Sequence, residues 1–244
     1  MRQLAIAIAA AAMALTLPQA SAQGRRILFI GDSVTDGNWG GCGAERSTTD
    51  MNHIFGHGFM ADCAAHYMAQ YPDSDFVFIN RGISGNTVAD LRRRWDTDVL
   101  ALSPDVVSVL VGINDAYFAS LRSDTVDLVA FEDDYRAILA DVRRSNPDVQ
   151  LVLCQCFAAA GMSRTPDAAF WPRQCAGINA VVERLAAEFG ARLVPFARLF
   201  DSLAPAAPRP DYWIWDGIHP TPAAHLLMAR MWMQCAGDLV APAQ

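Results

Sequence analysis

Short apolar runs alternate with longer segments of helical periodicity along most of the chain. Five runs have strand length and nearly continuous apolar character, as parallel strands covered on both faces do. They span residues 27–30, 76–79, 106–111, 149–156 and 192–196. Apolar residues recur with a helical period at residues 57–70, 87–100, 131–144, 175–189 and 222–235. This alternation predicts one α/β domain, a three-layer α/β/α arrangement around a mainly parallel five-stranded sheet.

The first 22 residues have the pattern of a secretory signal peptide. Arg2 supplies the positive start, residues 4–17 are apolar, and Ala20-Ser21-Ala22 offers the small residues of a cleavage site. A membrane anchor is the alternative, but the apolar run is shorter than the roughly 20 residues that a span requires. We therefore expect an exported protein, periplasmic or extracellular, whose mature domain covers residues 23–244 and makes no stable membrane insertion.

Composition excludes several classes of protein. Hydrophobic residues make up 52% of the 244 residues and charged residues 18%, which fits a packed globule. The net charge of −7 leaves no basic surplus for phosphates, so we expect no nucleic-acid partner. Every basic residue is arginine, and the absence of lysine excludes Schiff-base chemistry, a pyridoxal-phosphate lysine and a phosphate-binding P-loop lysine.

An even number of cysteines in an exported chain is typical of disulfide bonding. The six are Cys42, Cys63, Cys154, Cys156, Cys175 and Cys235. Cys154 and Cys156 are two apart in a predicted strand and share a face, so they are badly placed to bond each other. One of them could reach Cys175. A zinc site is the rival interpretation, but no CxxC pair is present.

Four short polar motifs lie where apolar runs end or where the last helix begins. They are Gly31-Asp32-Ser33, Asn80-Arg81-Gly82, Gly112-Ile113-Asn114-Asp115 and Asp216-Gly217-Ile218-His219. Each motif alone is weak. Because ligands of open parallel sheets collect at the carboxyl ends of the strands, the four together predict one site at that edge.

The residue types in these motifs fit nucleophilic acyl transfer. A serine hydroxyl such as that of Ser33 needs a neighbouring base, and His219 is a suitable one. Asp216 can accept from the other ring nitrogen and hold the imidazole in its working tautomer. The candidate donors to the oxyanion of a tetrahedral intermediate are the backbone N–H groups of Ser33 and Gly82 and the side-chain amide of Asn114.

Structural interpretations of the same residues remain open. Ser33 could be a helix N-cap, and His219 could be an ordinary turn residue. Asn114 and Asp115 are good turn formers, and we expect Asp115 to hold a loop rather than to react. Asp32 could also be structural. A further set, Asp50, His53 and His57, could suggest a metal site, but the pair of histidines has no clear third ligand and we predict no metal.

The four motifs, in this order, resemble those of the SGNH (GDSL) hydrolase family over Gly31 to Met231. The resemblance implies a flavodoxin-like fold and no cofactor. It also implies a serine nucleophile at Ser33, a base at His219 supported by Asp216, and an oxyanion hole formed by Ser33, Gly82 and Asn114.

Aromatic residues near the strand ends bear on the substrate. Trp39, Trp171, Trp213 and Trp215 could offer faces to sugar rings, although Trp213 or Trp215 could equally cap the core. The segments around Trp39, His53 and Trp215 resemble a bacterial branch of the family associated with carbohydrate esterases. We therefore expect a serine ester hydrolase that removes short acyl groups, acetyl above all, from carbohydrate, with a small-molecule or polysaccharide ester as its substrate. The alternatives are a lysophospholipase or acyl thioesterase, and a sugar-binding protein without activity.

Overall fold

The computed structural model describes residues 24–38, 50, 53–159 and 169–242. The predicted signal peptide, Trp39 and Cys42 therefore lie outside the described residues. Within the described ranges, no helix combines the length and the apolar character that crossing a bilayer requires.

The sheet has five strands and is entirely parallel, which confirms the predicted fold class. In chain order the strands are β1 (Arg26–Gly31), β2 (Val77–Gly82), β3 (Val106–Leu110), β4 (Gln150–Cys154) and β5 (Arg192–Val194). Their spatial order is β2-β1-β3-β4-β5, so the first strand lies inside the sheet with neighbours on both sides.

Eight α-helices lie among the described residues. They are α1 (Ser33–Asp36), α2 (Phe59–Gln70), α3 (Val88–Asp98), α4 (Ile113–Leu121), α5 (Leu128–Ser145), α6 (Phe170–Phe189), α7 (Phe196–Leu203) and α8 (Pro222–Ala236). Single 3₁₀ turns cover Leu100–Leu102, Ala204–Ala206 and Gly237–Leu239. Helices α1, α4 and α7 were not predicted, and the predicted fifth strand ends earlier because Phe196 begins α7.

The two faces of the sheet bury separate hydrophobic clusters. Along β1, Leu28 and Ile30 contribute to a cluster with residues of α3, α5 and α6, while Ile27 and Phe29 contribute to one with residues of α2, α7 and α8. Successive strand side chains point to opposite faces, so one strand supplies both clusters. This arrangement confirms the three layers and explains why the strand is apolar throughout.

The carboxyl ends of the three neighbouring strands β2, β1 and β3 lie side by side. Gly31 pairs with Gly82 on one side and with Leu110 on the other. A Cβ at Gly31 would lie 2.1 Å from the Leu110 carbonyl oxygen, so only glycine fits there. The motifs that follow these strands therefore start from one edge of the sheet.

The expected disulfides are not found among the described cysteines, because all five are free thiols. Cys156 and Cys175 do meet, as predicted, but as hydrogen-bonded thiols. This contact and burial raise the pKa of the Cys156 thiol well above its usual value, and burial raises the pKa of Cys154 to about 12. Disulfide formation requires a thiolate, which such surroundings disfavour.

Candidate active site

A serine, a histidine and an aspartate form a continuous hydrogen-bonded row at the carboxyl edge of the sheet. Ser33 Oγ lies 2.8 Å from His219 Nε2, and His219 Nδ1 lies 2.6 Å from Asp216 Oδ2. With Nδ1–H donating to the carboxylate, Nε2 presents its lone pair to the serine hydroxyl. Ser33 and His219, although 186 residues apart in sequence, are thus in direct contact. The arrangement can deprotonate Ser33 as it attacks a carbonyl carbon.

Ser33 is placed by the sharp turn from β1 into α1. It is the first residue of that helix, and the preceding Asp32 is its N-cap, accepting from the Val34 N–H at 3.0 Å. The cap is thus Asp32 and not Ser33, which leaves the serine hydroxyl to His219. The first N–H groups of a helix have no partner within it, so the Ser33 N–H is suited to an oxyanion.

The turn that carries His219 is held by backbone hydrogen bonds and by the Asp216 carboxyl group. Ile214 and Pro220 form an antiparallel bridge, and the Trp215 N–H donates to the His219 carbonyl oxygen at 3.0 Å. Asp216 Oδ1 accepts from the backbone N–H groups of Ile218 and His219 at 3.0 and 2.8 Å. The same carboxyl group therefore shapes the turn and orients the imidazole.

Asp216 stays ionised despite its partial burial. Burial acts to raise its pKa, but the backbone N–H and ring of His219 and the N–H of Ile218 act against it. The net result is a pKa below the ordinary value of 3.8. An ionised carboxylate at this position is what stabilisation of a positively charged imidazole requires.

Asn114 is held with one amide hydrogen committed and the other available. Its Nδ2 donates to the carbonyl oxygen of Asn86 at 3.1 Å, and the side chain is buried in the first turn of α4. A primary amide has two N–H groups, so one remains for an oxyanion. Asn114 therefore keeps the donor that its predicted role needs.

Gly82 allows the backbone of α1 to pack closely against β2. A Cβ at this position would lie 2.2 Å from the backbone nitrogen of Asp36, so α1 could not approach β2 with any other residue there. The Gly82 N–H donates to Asn80 Oδ1 at 2.9 Å. Glycine is thus required for the closeness of α1, and its N–H, the third predicted oxyanion donor, is engaged by Asn80 in this structure.

Two buried carboxyl groups lie beneath the site. Burial raises the pKa of Asp32 to about 7, although the Val34 N–H and the charge of His219 act to lower it. Burial likewise raises the pKa of Asp115 to about 7, and its carboxyl oxygens both lie 3.3 Å from the backbone nitrogen of Val88. Asp115 thus ties the start of α3 to α4, as expected of a residue that holds a loop.

The tryptophans divide into buried and exposed ones. Trp171 lies within α6 and is fully buried, so the expectation of a loop residue near the substrate is wrong. Trp213 packs against the core and donates from Nε1 to the Leu203 carbonyl oxygen. Trp215 is 61% exposed, and its ring lies roughly parallel to that of His219, with centroids 6.2 Å apart.

Two cavities adjoin loops of the candidate site. One, of about 720 Å³, adjoins the loop of residues 84–87, which contains Asn86. It is also lined by residues of α3, α4 and α5, including the half-exposed Phe118. The other, of about 450 Å³, has largely apolar walls that include Phe157, Phe200 and Trp213. Both volumes are within the range of small-molecule sites.

The histidine pair suggested by the sequence adjoins the end of α1, where the His57 N–H donates to the Gly37 carbonyl oxygen at 2.6 Å. His53 Nδ1 is 3.3 Å from His57 Nε2, and His53 Nε2 is 4.0 Å from Asp50. Within the described part of the chain, no three side chains of ligating type converge as a metal site would require.

Two residues that hold the site together from below, Asn80 and Arg94, had no role predicted from the sequence. Asn80 Nδ2 donates to the carbonyl oxygens of Thr35 and Phe55 at 3.0 and 2.9 Å, which ties α1 to β2. Arg94 of α3 reaches Asn86 and the Gly31 carbonyl oxygen. Asn80 was visible as part of a motif, whereas Arg94 lies in a run of three arginines that does not show which one turns inward.

The fold and the site define a hydrolase of the α/β class with a serine at the end of the first strand. Residues 29–227 match the GDSL-like lipase/acylhydrolase family. The chain belongs to this family and is a carboxylic ester hydrolase.

Individual relatives agree with this assignment. An acetylxylan esterase of Geobacillus stearothermophilus is 33% identical over 221 residues, covering 88% of this chain and 94% of the relative. The solved structure of the esterase Axe2 of that organism has a TM-score of 0.74 at 30% identity, covering 90% of this chain and 98% of its own. A protein described as a GDSL-like lipase of Parabacteroides merdae has a TM-score of 0.79 at 34% identity, covering 88% and 96%. Three solved variants of Axe2 are described as catalytic mutants, with a serine, an aspartate or a histidine replaced by alanine.

Proposed function

We propose that this protein is a carbohydrate acetylesterase in which Ser33 is the nucleophile and His219 the general base. The observation that carries the proposal is the row of hydrogen bonds from Ser33 Oγ through the His219 ring to Asp216, with separations of 2.8 and 2.6 Å. The three residue types are also those replaced in the catalytic mutants of the acetylxylan esterase Axe2.

The reaction follows from this geometry in two halves. His219 Nε2 takes the Ser33 proton while Oγ bonds to the acetyl carbon, and the resulting oxyanion faces the Ser33 N–H and the free N–H of Asn114. The intermediate collapses to an acetyl-serine, and the departing sugar oxygen takes the proton from His219. Water then repeats the sequence, which releases acetate and restores the serine. The Gly82 N–H joins these donors only if it shares its hydrogen with Asn80.

Two features support a carbohydrate as the alcohol component. The exposed face of Trp215 lies beside the ring of the base, where a sugar carrying the acetyl group would rest on it. The relative with 33% identity is an acetylxylan esterase. The cavity of about 720 Å³ beside the Asn86 loop leaves space for further sugar units.

The test combines a variant with a substrate series. Ser33→Ala should abolish hydrolysis of an aryl acetate while thermal unfolding is unchanged, and Ser202→Ala, on the exposed side of α7, serves as the matched control. Retained turnover in Ser33→Ala would refute the mechanism. Trp215→Ala should impair acetate release from acetylated xylan more than it impairs hydrolysis of the aryl acetate. Equal losses on both substrates would contradict a sugar-binding role for Trp215.

The apolar cavity of about 450 Å³ favours a second candidate, an esterase or thioesterase acting on longer acyl chains. Its Phe157 and Phe200 rings pack with centroids 4.2 Å apart and offer an apolar wall. A series of aryl esters from acetyl to dodecanoyl separates the two functions. We expect kcat/KM to be highest for acetyl, and a preference for eight or more carbons would favour the lipid substrate.

Export of the protein is part of the same proposal. An enzyme that removes acetyl groups from a polymer must meet it outside the cytoplasm, which agrees with the signal-like pattern of residues 1–22. Sequencing the amino terminus of the protein recovered from the periplasm or the medium should give Gln23 as the first residue, whereas an intact Met1 would contradict cleavage.

A further inference from the structure

Arg94 is the most enclosed arginine of the run in α3. Its side chain is 15% exposed, against 69% for the adjacent Arg93. The guanidinium uses all three nitrogens: Nε donates to Asn86 Oδ1 at 2.8 Å, Nη1 to Asp98 at 2.6 Å and Nη2 to the Gly31 carbonyl oxygen at 3.2 Å. Asp98 thus holds the arginine on its own helix, and the other two bonds reach the motifs of the site.

The bond to Asn86 acts on a residue that is in direct contact with Asn114. The Asn86 carbonyl oxygen accepts from Asn114 Nδ2 at 3.1 Å, and the Asn86 N–H donates to the Ile83 carbonyl oxygen at 3.1 Å. The position of the Asn86 carbonyl oxygen decides where the second amide hydrogen of Asn114 points. A shift of Asn86 would therefore turn the oxyanion donor away from the reacting carbonyl.

The bond to Gly31 links the same arginine to the nucleophile. Gly31 ends β1 two residues before Ser33, and its carbonyl oxygen also accepts from the Ile83 N–H at 3.0 Å. A planar guanidinium can hold two acceptors at fixed separation, which a lysine ammonium does not do. Arg94 thereby fixes the end of the first strand relative to the loop that carries Asn86.

We propose that Arg94 is a positioning residue for the oxyanion hole, acting through the side chain of Asn86 on the amide of Asn114. The inference rests on the proposed function, because it assumes that Asn114 stabilises the tetrahedral intermediate. Loss of one oxyanion donor typically lowers kcat by about 10²–10³-fold. Loss of its support should lower kcat by about 10–100-fold with KM changed less than about threefold, since the substrate itself does not touch Arg94.

A double-mutant cycle separates positioning from general support of the fold. Arg94→Ala should reduce kcat strongly in the wild-type background but by no more than about twofold in Asn114→Ala, because the donor that it positions is then missing. Equal losses in both backgrounds would show a merely structural role and overturn the proposal. Arg94→Lys should behave like Arg94→Ala, and Arg93→Ala on the same helix should keep full activity.

Asn86→Ala provides the same test without removing the buried arginine. It deletes the acceptor of Arg94 but keeps the backbone carbonyl that Asn114 uses, so it should reproduce the loss in kcat, and adding Arg94→Ala should cost little more. Full activity in Asn86→Ala would overturn the proposal even if Arg94→Ala did not fold. If Ser33→Ala is inactive while Arg94→Ala is fully active, only this inference fails. If Ser33→Ala is active, the proposed function fails first.

Discussion

His225 offers a way to separate the pH dependence of stability from that of catalysis. It lies on α8, shortly after His219 in the sequence, and its Nδ1 accepts from the Phe59 N–H at 3.1 Å. Phe59 begins α2, and the N-cap residue Gly58 has no side chain to satisfy that end of the helix. A neutral His225 does so instead, and protonation would place a second donor against the Phe59 N–H.

The magnitude follows from the pKa of His225. Burial, with a smaller contribution from the charge of His219, lowers this pKa from the ordinary 6.5 to about 4. Between these values the unfolded chain binds a proton that the folded chain refuses, so stability falls as the pH falls. Since a difference of one in pKa corresponds to 1.36 kcal/mol, the loss between pH 8 and pH 4 is about 3 kcal/mol.

The assay is urea unfolding at a series of pH values for the wild type and two variants. His225→Asn keeps an acceptor near Phe59 and does not titrate, while His225→Leu removes the acceptor and does not titrate either. The free energy of unfolding of the wild type should fall by about 3 kcal/mol more than that of either variant as the pH drops to 4. Other groups titrate equally in all three proteins, so the difference isolates His225.

Catalysis should respond differently in the same proteins. The pH dependence of ester hydrolysis should be the same in the wild type and in His225→Asn, because the proposed base, His219, is present in both. Parallel unfolding curves for the three proteins would refute the assignment to His225.

Three further substitutions test single parts of the site. Asp32→Asn should stabilise the protein at pH 8 by up to about 4 kcal/mol. Because burial raises the pKa of Asp32 from 3.8 to about 7, the wild type loses stability as the pH rises from 3.8 through 7, and the asparagine variant does not. In urea unfolding, the difference in unfolding free energy between the two proteins should therefore shrink toward pH 4. Gly82→Ala should lower the melting temperature and reduce turnover by more than about 100-fold, because its Cβ would lie 2.2 Å from the Asp36 nitrogen; wild-type activity would contradict the close approach. Asp216→Asn should lower kcat by about 10²–10⁴-fold at nearly unchanged KM, and steady-state kinetics in which only KM changed would contradict its role in orienting His219.

The fold was predictable because its strands are buried on both faces. A continuous apolar run of strand length between two helical segments, such as residues 106–111, is typical of a parallel strand covered by helices. Four of the five strands were located within two residues at each end. Helix α4 was missed since Asn114 and Asp115 were interpreted as turn formers. Both side chains do bond to backbone groups of the neighbouring segment, at Asn86 and Val88. They lie, however, in the first turn of a helix, where an acidic residue is favourable.

The candidate site was predictable as a set of motifs, but the hydrogen-bond partners of its supporting residues were not. Ser33, His219 and Asp216 are in contact, as predicted from the four motifs together, because loops at the carboxyl edge of a parallel sheet lie close to one another. The bond from the Gly82 N–H to Asn80 depends on the rotamer of Asn80. The bond from Arg94 to the Gly31 carbonyl oxygen depends on how α3 packs beside the sheet. Neither is encoded in a local pattern.

The end of β2 and the loop that follows it connect the candidate nucleophile to the candidate oxyanion hole. Asn80 holds the backbone of α1 through the Thr35 carbonyl oxygen, Gly82 lets α1 approach, and Asn86 orients Asn114. Ser33 sits at the start of α1, so a shift of this one segment moves the attacking oxygen and the amide donor together. Their relative position is then preserved under small displacements, whereas a change in Asn86 alone alters it. This explains why residues 80–86 carry so many of the fixed hydrogen bonds around the candidate site.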